Sequence, residues 1–273
     1  MKKLFTFITL VGLFTGAVFA ADQAASSSSW FNSADLSVKG SVAFESEYLY
    51  RGRALAFDTI VTSVEGAYKL YNGSLYAGVL NHDSATSSQP TAISLSTALS
   101  ESDFYVGYKL PVYEKFSADF GYTYYWYQQN GVTPDRRNEI YAGVVYNGLW
   151  INPAAYIYYD FNMQAITGEL SGKYSLDLAK YGCAKTALDL GGYFGAISAN
   201  DVLAGQGPGG FKSSSGYIYY GATADLVYSF TKNAAASVGI RYAGNGNNGG
   251  DVFSVIYPER NSFFWGAKFT AGF

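Results

Sequence analysis

This sequence predicts an all-β chain closing into a transmembrane antiparallel up-and-down β-barrel of about 12 strands, and three observations carry the prediction. The last residues alternate strictly: Phe263, Trp265, Ala267, Phe269, Ala271 and Phe273 share one parity, and Gly266, Lys268, Thr270 and Gly272 the other. Side chains on a strand point to opposite faces in turn, so this segment has one apolar face and one small or polar face. Lipid outside and water inside demand that pattern. The same alternation recurs in twelve segments, an even number. The connections also alternate: those after the second, fourth, sixth, eighth and tenth segments are mostly compact, and those after the third, fifth, ninth and eleventh are long and polar. Short periplasmic turns, long external loops and two periplasmic termini produce that asymmetry in outer-membrane barrels.

Composition agrees. Hydrophobic residues make 49% and aromatic ones 18%, with 26 Tyr against two Met. Past the N-terminal run, no stretch reaches the 18 or so apolar residues of a spanning helix. That run has Lys2 and Lys3 before an uncharged segment from Leu4 to Phe19, then Val18-Phe19-Ala20, which reads as a secretory leader over residues 1–20. Residues 21–36, Ser- and Ala-rich, read as a flexible lead-in with Trp30 and Phe31 near the barrel mouth, and 37–273 as the barrel. No basic run or stripe suits nucleic acid. The single cysteine, Cys183, can form neither an internal disulfide nor a multi-cysteine metal site, so no cofactor or metal is expected.

Taken in order, the first strand (about Val38 to Arg51) sets Val38, Val42, Phe44, Tyr48 and Tyr50 against Lys39, Ser41, Glu45, Glu47 and Arg51. The second, from about Thr59 to Leu70, sets Ile60, Val64 and Tyr68 against Ser63, Glu65 and Lys69. Asn72-Gly73 is a strong hairpin signal before the third, Leu75 to Asn81. The polar HDSATSSQPT reads as a loop. Phe104, Val106 and Tyr108 face away from Glu101, Asp103 and Lys109 in the fourth strand, and a turn at Pro111 leads to the fifth, where Phe116, Phe120 and Tyr122 oppose Asp119 and Thr123. The loop QQNGVTPDRRN follows, then the sixth strand with Ile140, Val144 and Tyr146 outward. The seventh spans Trp150 to Phe161, with Ile157 outward and Asp160 inward. The eighth sets Ile166 and Leu170 against Glu169, Lys173 and Asp177, and the ninth sets Leu188 and Leu190 against Asp189. Asn200 to Ser215 and Gly244 to Asn261 are long loops flanking the tenth and eleventh strands.

These faces give an inward list of Glu45, Glu47, Glu65, Glu101, Asp103, Asp119, Glu139, Asp160, Glu169, Asp177, Asp189 and Asp225, against Arg51, Lys69, Lys109, Lys173, Arg241 and Lys268. The acid excess points to a pore-lining role and a preference for cations, with Glu45, Glu47 and Glu65 expected in one charged ring. A lumen packed with mutually paired charges is the alternative. An enzyme reading rests on His82, the only histidine, with Asp83 and Ser84 beside it; neighbours in sequence point in different directions, and a solvated loop residue is the simpler reading. No enzymatic activity is expected.

The segment FESEYLYRGRAL (Phe44 to Leu55), with Tyr48 to Gly52 at its centre, resembles the opening of the TorF-type porins. SESDFYVGYKLPVYEKFSADFGYTYYWYQ (Ser100 to Gln128), EIYAGVVYNG (Glu139 to Gly148) and ALDLGGYFG (Ala187 to Gly195) continue the likeness. It implies passive transport without naming a solute. The terminal Phe273, with Phe269 and Trp265, also resembles the signal read by the barrel-assembly machinery. The expectation is therefore a channel in the cell outer membrane for small hydrophilic solutes or ions. Outer-membrane lipids and the assembly machinery would be its partners, its oligomeric state is left open, and a structural or adhesive barrel and a lipid-modifying enzyme are the rivals.

Overall fold

The computed structural model describes residues 35–87, 99–129, 135–199, 216–247 and 260–273. Residues 1–20 and most of the lead-in, Trp30 and Phe31 included, lie outside them. The strands are β1 (Leu36–Tyr50), β2 (Arg53–Leu70), β3 (Gly73–Ser87), β4 (Leu99–Tyr113), β5 (Phe116–Gln129) and β6 (Asp135–Tyr146). They continue with β7 (Ala154–Asp160), β8 (Ala165–Asp177), β9 (Thr186–Ala199), β10 (Tyr217–Thr231), β11 (Ala234–Asn247) and β12 (Arg260–Gly272). Each pairs antiparallel with its neighbours in sequence, and β1 pairs with β12 to close the barrel. Val38 and Phe273 exchange both backbone hydrogen bonds, at 2.9 and 3.0 Å, so the last residue seals the seam. Closure leaves no open edge, the condition for a sheet in hydrocarbon.

The two ends differ. One carries both ends of the strand order and the connections 71–72, 114–115, 147–153, 178–185 and 232–233, here called the turn end. The opposite, loop end carries the two-residue β1–β2 turn, the 161–164 turn and the connections 88–98, 130–134, 200–216 and 248–259. A 3-10 turn, Leu178–Tyr181, is capped by Asp177, which accepts from the Ala179 N–H, and Gly182 ends it at φ 90°.

Outward residues form an apolar belt. Val144 is 47% exposed, Ile157 56% and Ile240 63%, and Ile60, Val64, Phe104, Val106, Ile166, Leu170 and Trp265 are exposed likewise. Soluble monomers keep apolar patches to a few hundred Å², so a belt encircling the molecule makes lipid the solvent of this surface. Outward aromatic pairs bound it: Phe116–Tyr146 at 4.6 Å and Trp150–Tyr174 at 5.2 Å towards the turn end, Tyr242–Phe263 at 4.7 Å and Tyr159–Phe161 at 5.0 Å towards the loop end. Amphipathic rings favour the two membrane interfaces. On β12, Phe263, Trp265, Phe269 and Phe273 are exposed, as the alternation predicts.

Some boundaries differ from the sequence reading. β2 starts at Arg53 rather than near Thr59, and β3 runs on to Ser87, so His82, Asp83 and Ser84 lie in a strand and not in a loop. β11 runs to Asn247, and β7 begins only at Ala154. Beyond the hydrocarbon both faces of a strand meet polar surroundings, so in β2, β3 and β11 the apolar half of the alternation stops before the hydrogen-bonded ladder does.

Arginine at outward Val144 or Ile157 should cost about 2–4 kcal/mol near the midplane, and at inward Thr123 much less. Urea titrations of tryptophan fluorescence in lipid vesicles measure the difference; a larger loss at Thr123 would mean the faces are inverted.

Candidate functional site

The interior is built from tyrosines laid over glycines. Tyr76 is the register partner of Gly107, Tyr105 of Gly78, Tyr141 of Gly121, Tyr156 of Gly143, and Tyr219 of Gly195. In each pair the ring fills the space a Cβ would occupy on the glycine. A ring lying flat over a residue without a side chain covers its backbone and reaches sideways. The hydroxyls therefore meet carboxylates two strands away. Tyr76 and Tyr156 donate to the two oxygens of Asp119 at 2.6 and 2.8 Å, Tyr105 donates to Glu65 at 2.8 Å, and Tyr219 donates to Glu169 at 2.8 Å. Tyr76 and Tyr141 also share a 2.6 Å hydrogen bond. Acids follow the same rule as tyrosines: Glu45 lies over Gly266 and Asp225 over Gly239, and Arg241 sits between them at 3.2 and 3.0 Å.

Nearer the loop end the β1–β2 hairpin folds inward. Its ladder shifts register between Tyr48 and Leu49, with Leu55 the extra residue on β2. Such a bulge bends the strand and changes which face follows. Arg51 and Gly52 form the turn at φ 50° and 74°, the left-handed pair a two-residue hairpin needs. The tip docks on the β11 wall, where Asn245 Nδ2 donates to the Gly52 carbonyl at 2.7 Å. From there Arg51 crosses to the opposite wall and donates to Glu139 on β6 at 2.9 Å. Its guanidinium stacks over Tyr50 and Tyr158 at 4.8 Å each.

A second pair, Arg137–Asp160, lies alongside, with Arg137 Nη1 donating to the Tyr127 hydroxyl at 3.2 Å. Asp160 also accepts from the Asn162 and Met163 N–H groups, tying this layer to the β7–β8 turn. Tyr219 and Glu101 are 0% exposed, Asp160 1% and Glu139 2%. Side chains fill the lumen at this level.

The residues expected to line a pore fall on inward faces or on the inward tip, but they are not equivalent. Glu139, Asp160 and Arg51 meet in the packed layer, with Glu101 and Asp103 buried beside it on β4. Glu45, Asp225 and Arg241 form one triad, and Glu47 is buried with Ser262 donating to it. Glu65 and Asp119 are held by tyrosines, and Asp189 accepts from Ser175 at 2.6 Å. Lys109 and Lys173 stand towards the turn end, and Lys69 at its rim. The expected ring of Glu45, Glu47 and Glu65 does not form: Glu65 is opposite Lys39, six positions along β1 from Glu45, or about 20 Å at ~3.3 Å per residue.

Sequence reasoning misplaced Tyr48 and Tyr50, which point inward because the bulge breaks the parity count. It passed over Arg137, which lies in β6 but stands in the polar string read as a loop, and left Lys39 out of the balance. His82 is not solvated: it is 1% exposed, stacked on Tyr48 at a ring distance of 4.0 Å, with Nε2 4.0 Å from Asp103. Asp83 lies on the outer face and accepts from Ser100 at 2.8 Å, so it cannot orient His82. Among the described residues no group of three or more His, Cys, Asp or Glu is placed to hold a metal ion.

No protein-family model matches the chain, and no curated protein matches it. Solved structures do. An outer-membrane channel from Pseudomonas putida F1 is 12% identical, with a TM-score of 0.47 over 87% of this chain and 94% of that one. The CymD monoaromatic hydrocarbon channel is 8% identical, with a TM-score of 0.42 over 88% of each chain. The ferric enterobactin receptor PfeA from Pseudomonas aeruginosa is 11% identical, with a TM-score of 0.34; 84% of this chain spans 41% of that one. Likeness at this level assigns neither family nor function, and the barrel rests on its own hydrogen-bond register.

Arg137→Met leaves buried Asp160 without its cation and should cost about 3–5 kcal/mol. The heat-modifiable mobility of the folded barrel on gels reads this as a lower unfolding temperature; Lys185→Met, in the exposed β8–β9 connection, should leave it unchanged.

Proposed function

We propose that this protein is an outer-membrane channel for passive diffusion of small hydrophilic solutes or ions, with a preference for cations, drawn here with its loop-end constriction closed. The observation that carries the reading is the nature of the obstruction. A two-residue hairpin tip crosses the lumen and is held by side chains, where a permanently filled barrel would need only wall residues. Among the described residues, inward polar and charged side chains run from the turn end to the loop end, interrupted by apolar patches at Ala43, Val61 and Leu80 and at Met163, Ala165 and Ile197. Among the described residues, the twelve acids expected inward face eight inward bases, because Lys39 and Arg137 join the six bases expected, so the acid excess falls from six to four. The remaining excess favours cations wherever the lumen narrows. The TorF-type resemblance, whose central Tyr48 to Gly52 segment is the hairpin tip, supports the same reading.

In this reading the turn end faces the periplasm and the long connections face outward, as in other barrels of this kind. Lipids surround the apolar belt, and the assembly machinery reads the terminal strand. Deleting Phe273 should lower the amount of folded barrel in the outer membrane while secretion continues, as measured by heat-modifiable protein in membrane fractions. The rival reading, a structural or adhesive barrel with a filled lumen, draws on the depth of burial around Glu139 and Asp160.

Planar-bilayer recordings decide between them. Arg51→Ser, which removes the cross-lumen contact, should raise single-channel conductance several-fold over wild type. In a salt gradient the wild-type reversal potential should lie on the cation side, and Glu45→Gln, Glu47→Gln and Glu65→Gln together should move it towards zero. No current from either wild type or Arg51→Ser would favour the filled barrel.

A further inference from the structure

Buried polar atoms without partners concentrate where the β1–β2 hairpin meets β3 and β4. Glu101 on β4 is the register partner of His82 on β3, and Asp103 follows it two residues on along the same inward face. Directly opposed side chains lie about 5 Å apart at Cβ, so the imidazole stands against both carboxyls. Both oxygens of Glu101, Oδ1 of Asp103, both ring nitrogens of His82 and the Tyr48 hydroxyl are shielded from solvent, and none has a hydrogen-bond partner among the described residues. All four side chains are more than nine-tenths buried. Buried acceptors left unmet are costly, and buried carboxylates more so.

The nearby cations are engaged elsewhere. Arg137 lies within electrostatic range of both carboxyls, yet its hydrogen bonds go to Asp160 and Tyr127, and Arg51 is held by Glu139. The other groups facing the pair are Tyr48 on β1, Tyr125 and Tyr127 on β5 and Glu139 on β6, none of which brings positive charge. With two carboxylates and a neutral imidazole, acceptors face acceptors. Bound protons resolve this: one on the carboxyl pair makes a donor for its neighbour, and one on His82 makes a donor for Asp103, whose Oδ2 is 4.0 Å from Nε2.

The cluster also touches the hinge of the hairpin. Tyr48 stacks on the His82 ring, and the ladder shifts register between Tyr48 and Leu49, where the chain turns inward towards the tip. Lifting the tip moves Tyr48 off His82 and lets water hydrate the carboxylates, which then need no protons.

We propose that Glu101, Asp103 and His82 form a proton-operated latch on the β1–β2 hairpin, holding Tyr48 and the tip in place when protonated and releasing them when deprotonated. The latch rests on the reading of the hairpin as the closed constriction and names what opens it. The closed arrangement binds more protons than the open one, so by linkage acid favours closure and alkali favours opening.

Hydrogen exchange of the full chain in lipid nanodiscs, read by mass spectrometry over residues 44–55 at about pH 5.5 and about pH 8 and corrected for the intrinsic pH dependence of exchange, tests it. The hairpin should exchange at least about tenfold faster at the higher pH. Glu101→Gln together with Asp103→Asn should remove the difference, with folding checked by heat-modifiable mobility. Should that pair not fold, Glu101→Gln alone should at least halve the response on a logarithmic scale. Asp83→Asn, beside His82 in sequence but on the outer face, should leave it unchanged. Equal corrected exchange at the two pH values in the wild type, or an undiminished response in the folded variant, would overturn the latch. Exchange needs no current, so a hairpin that loosens with pH in a barrel that never conducts would refute the channel and leave the latch standing. A conducting barrel whose hairpin ignores pH would refute the latch alone.

Discussion

Closure in a solvent without hydrogen-bonding partners is the constraint on which everything else in this molecule depends. Each backbone N–H and C=O in the hydrocarbon has to be met by a neighbouring strand, and the register of β1 with β12 does this at the seam. Once the sheet is a cylinder, parity becomes fate. One set of side chains faces lipid, which accepts any apolar shape, and the other faces a confined interior where size and charge must be reconciled. The outer set is accordingly varied and loosely specified, whereas the inner set forms a tightly connected network.

That network explains the composition. A twelve-stranded cylinder encloses more volume than short side chains can fill, and tyrosine over glycine fills it without crowding the wall. The ring spans its own strand and the next, and its hydroxyl serves a carboxylate one strand further on. Rings of Phe would fill the same space but leave Asp119 and Glu65 without donors, and an unmet buried carboxylate is costly. Abundant Tyr and Gly are therefore two halves of one packing device.

Much of this was legible in the sequence. The barrel, its strand number, the alternation of turns and the outward faces of β4, β5 and β12 follow from period-two patterning, which lipid enforces strictly. The interior was harder, for physical reasons. A bulge such as that at Tyr48–Leu49 shifts parity without a marker in composition, which turned Tyr48 and Tyr50 the wrong way. Strands that outrun the bilayer lose their apolar face, so His82 and Arg137 read as loop residues. Pairing across a cylinder joins residues far apart in the chain, and no local pattern shows that Arg51 meets Glu139.

The inward hairpin has a consequence for the order of assembly. The β1–β2 pairing is local and can form as soon as the two strands meet, yet its tip binds Asn245, 193 residues away, and Glu139, 88 residues away. Those anchors occupy opposite walls, and opposite walls exist only after the cylinder is complete. The tip can therefore be fastened to both anchors only once β12 has met β1. Nascent barrels pass through a stage with a full wall and an unfastened tip, and the contacts made in that final step report on maturation separately from insertion.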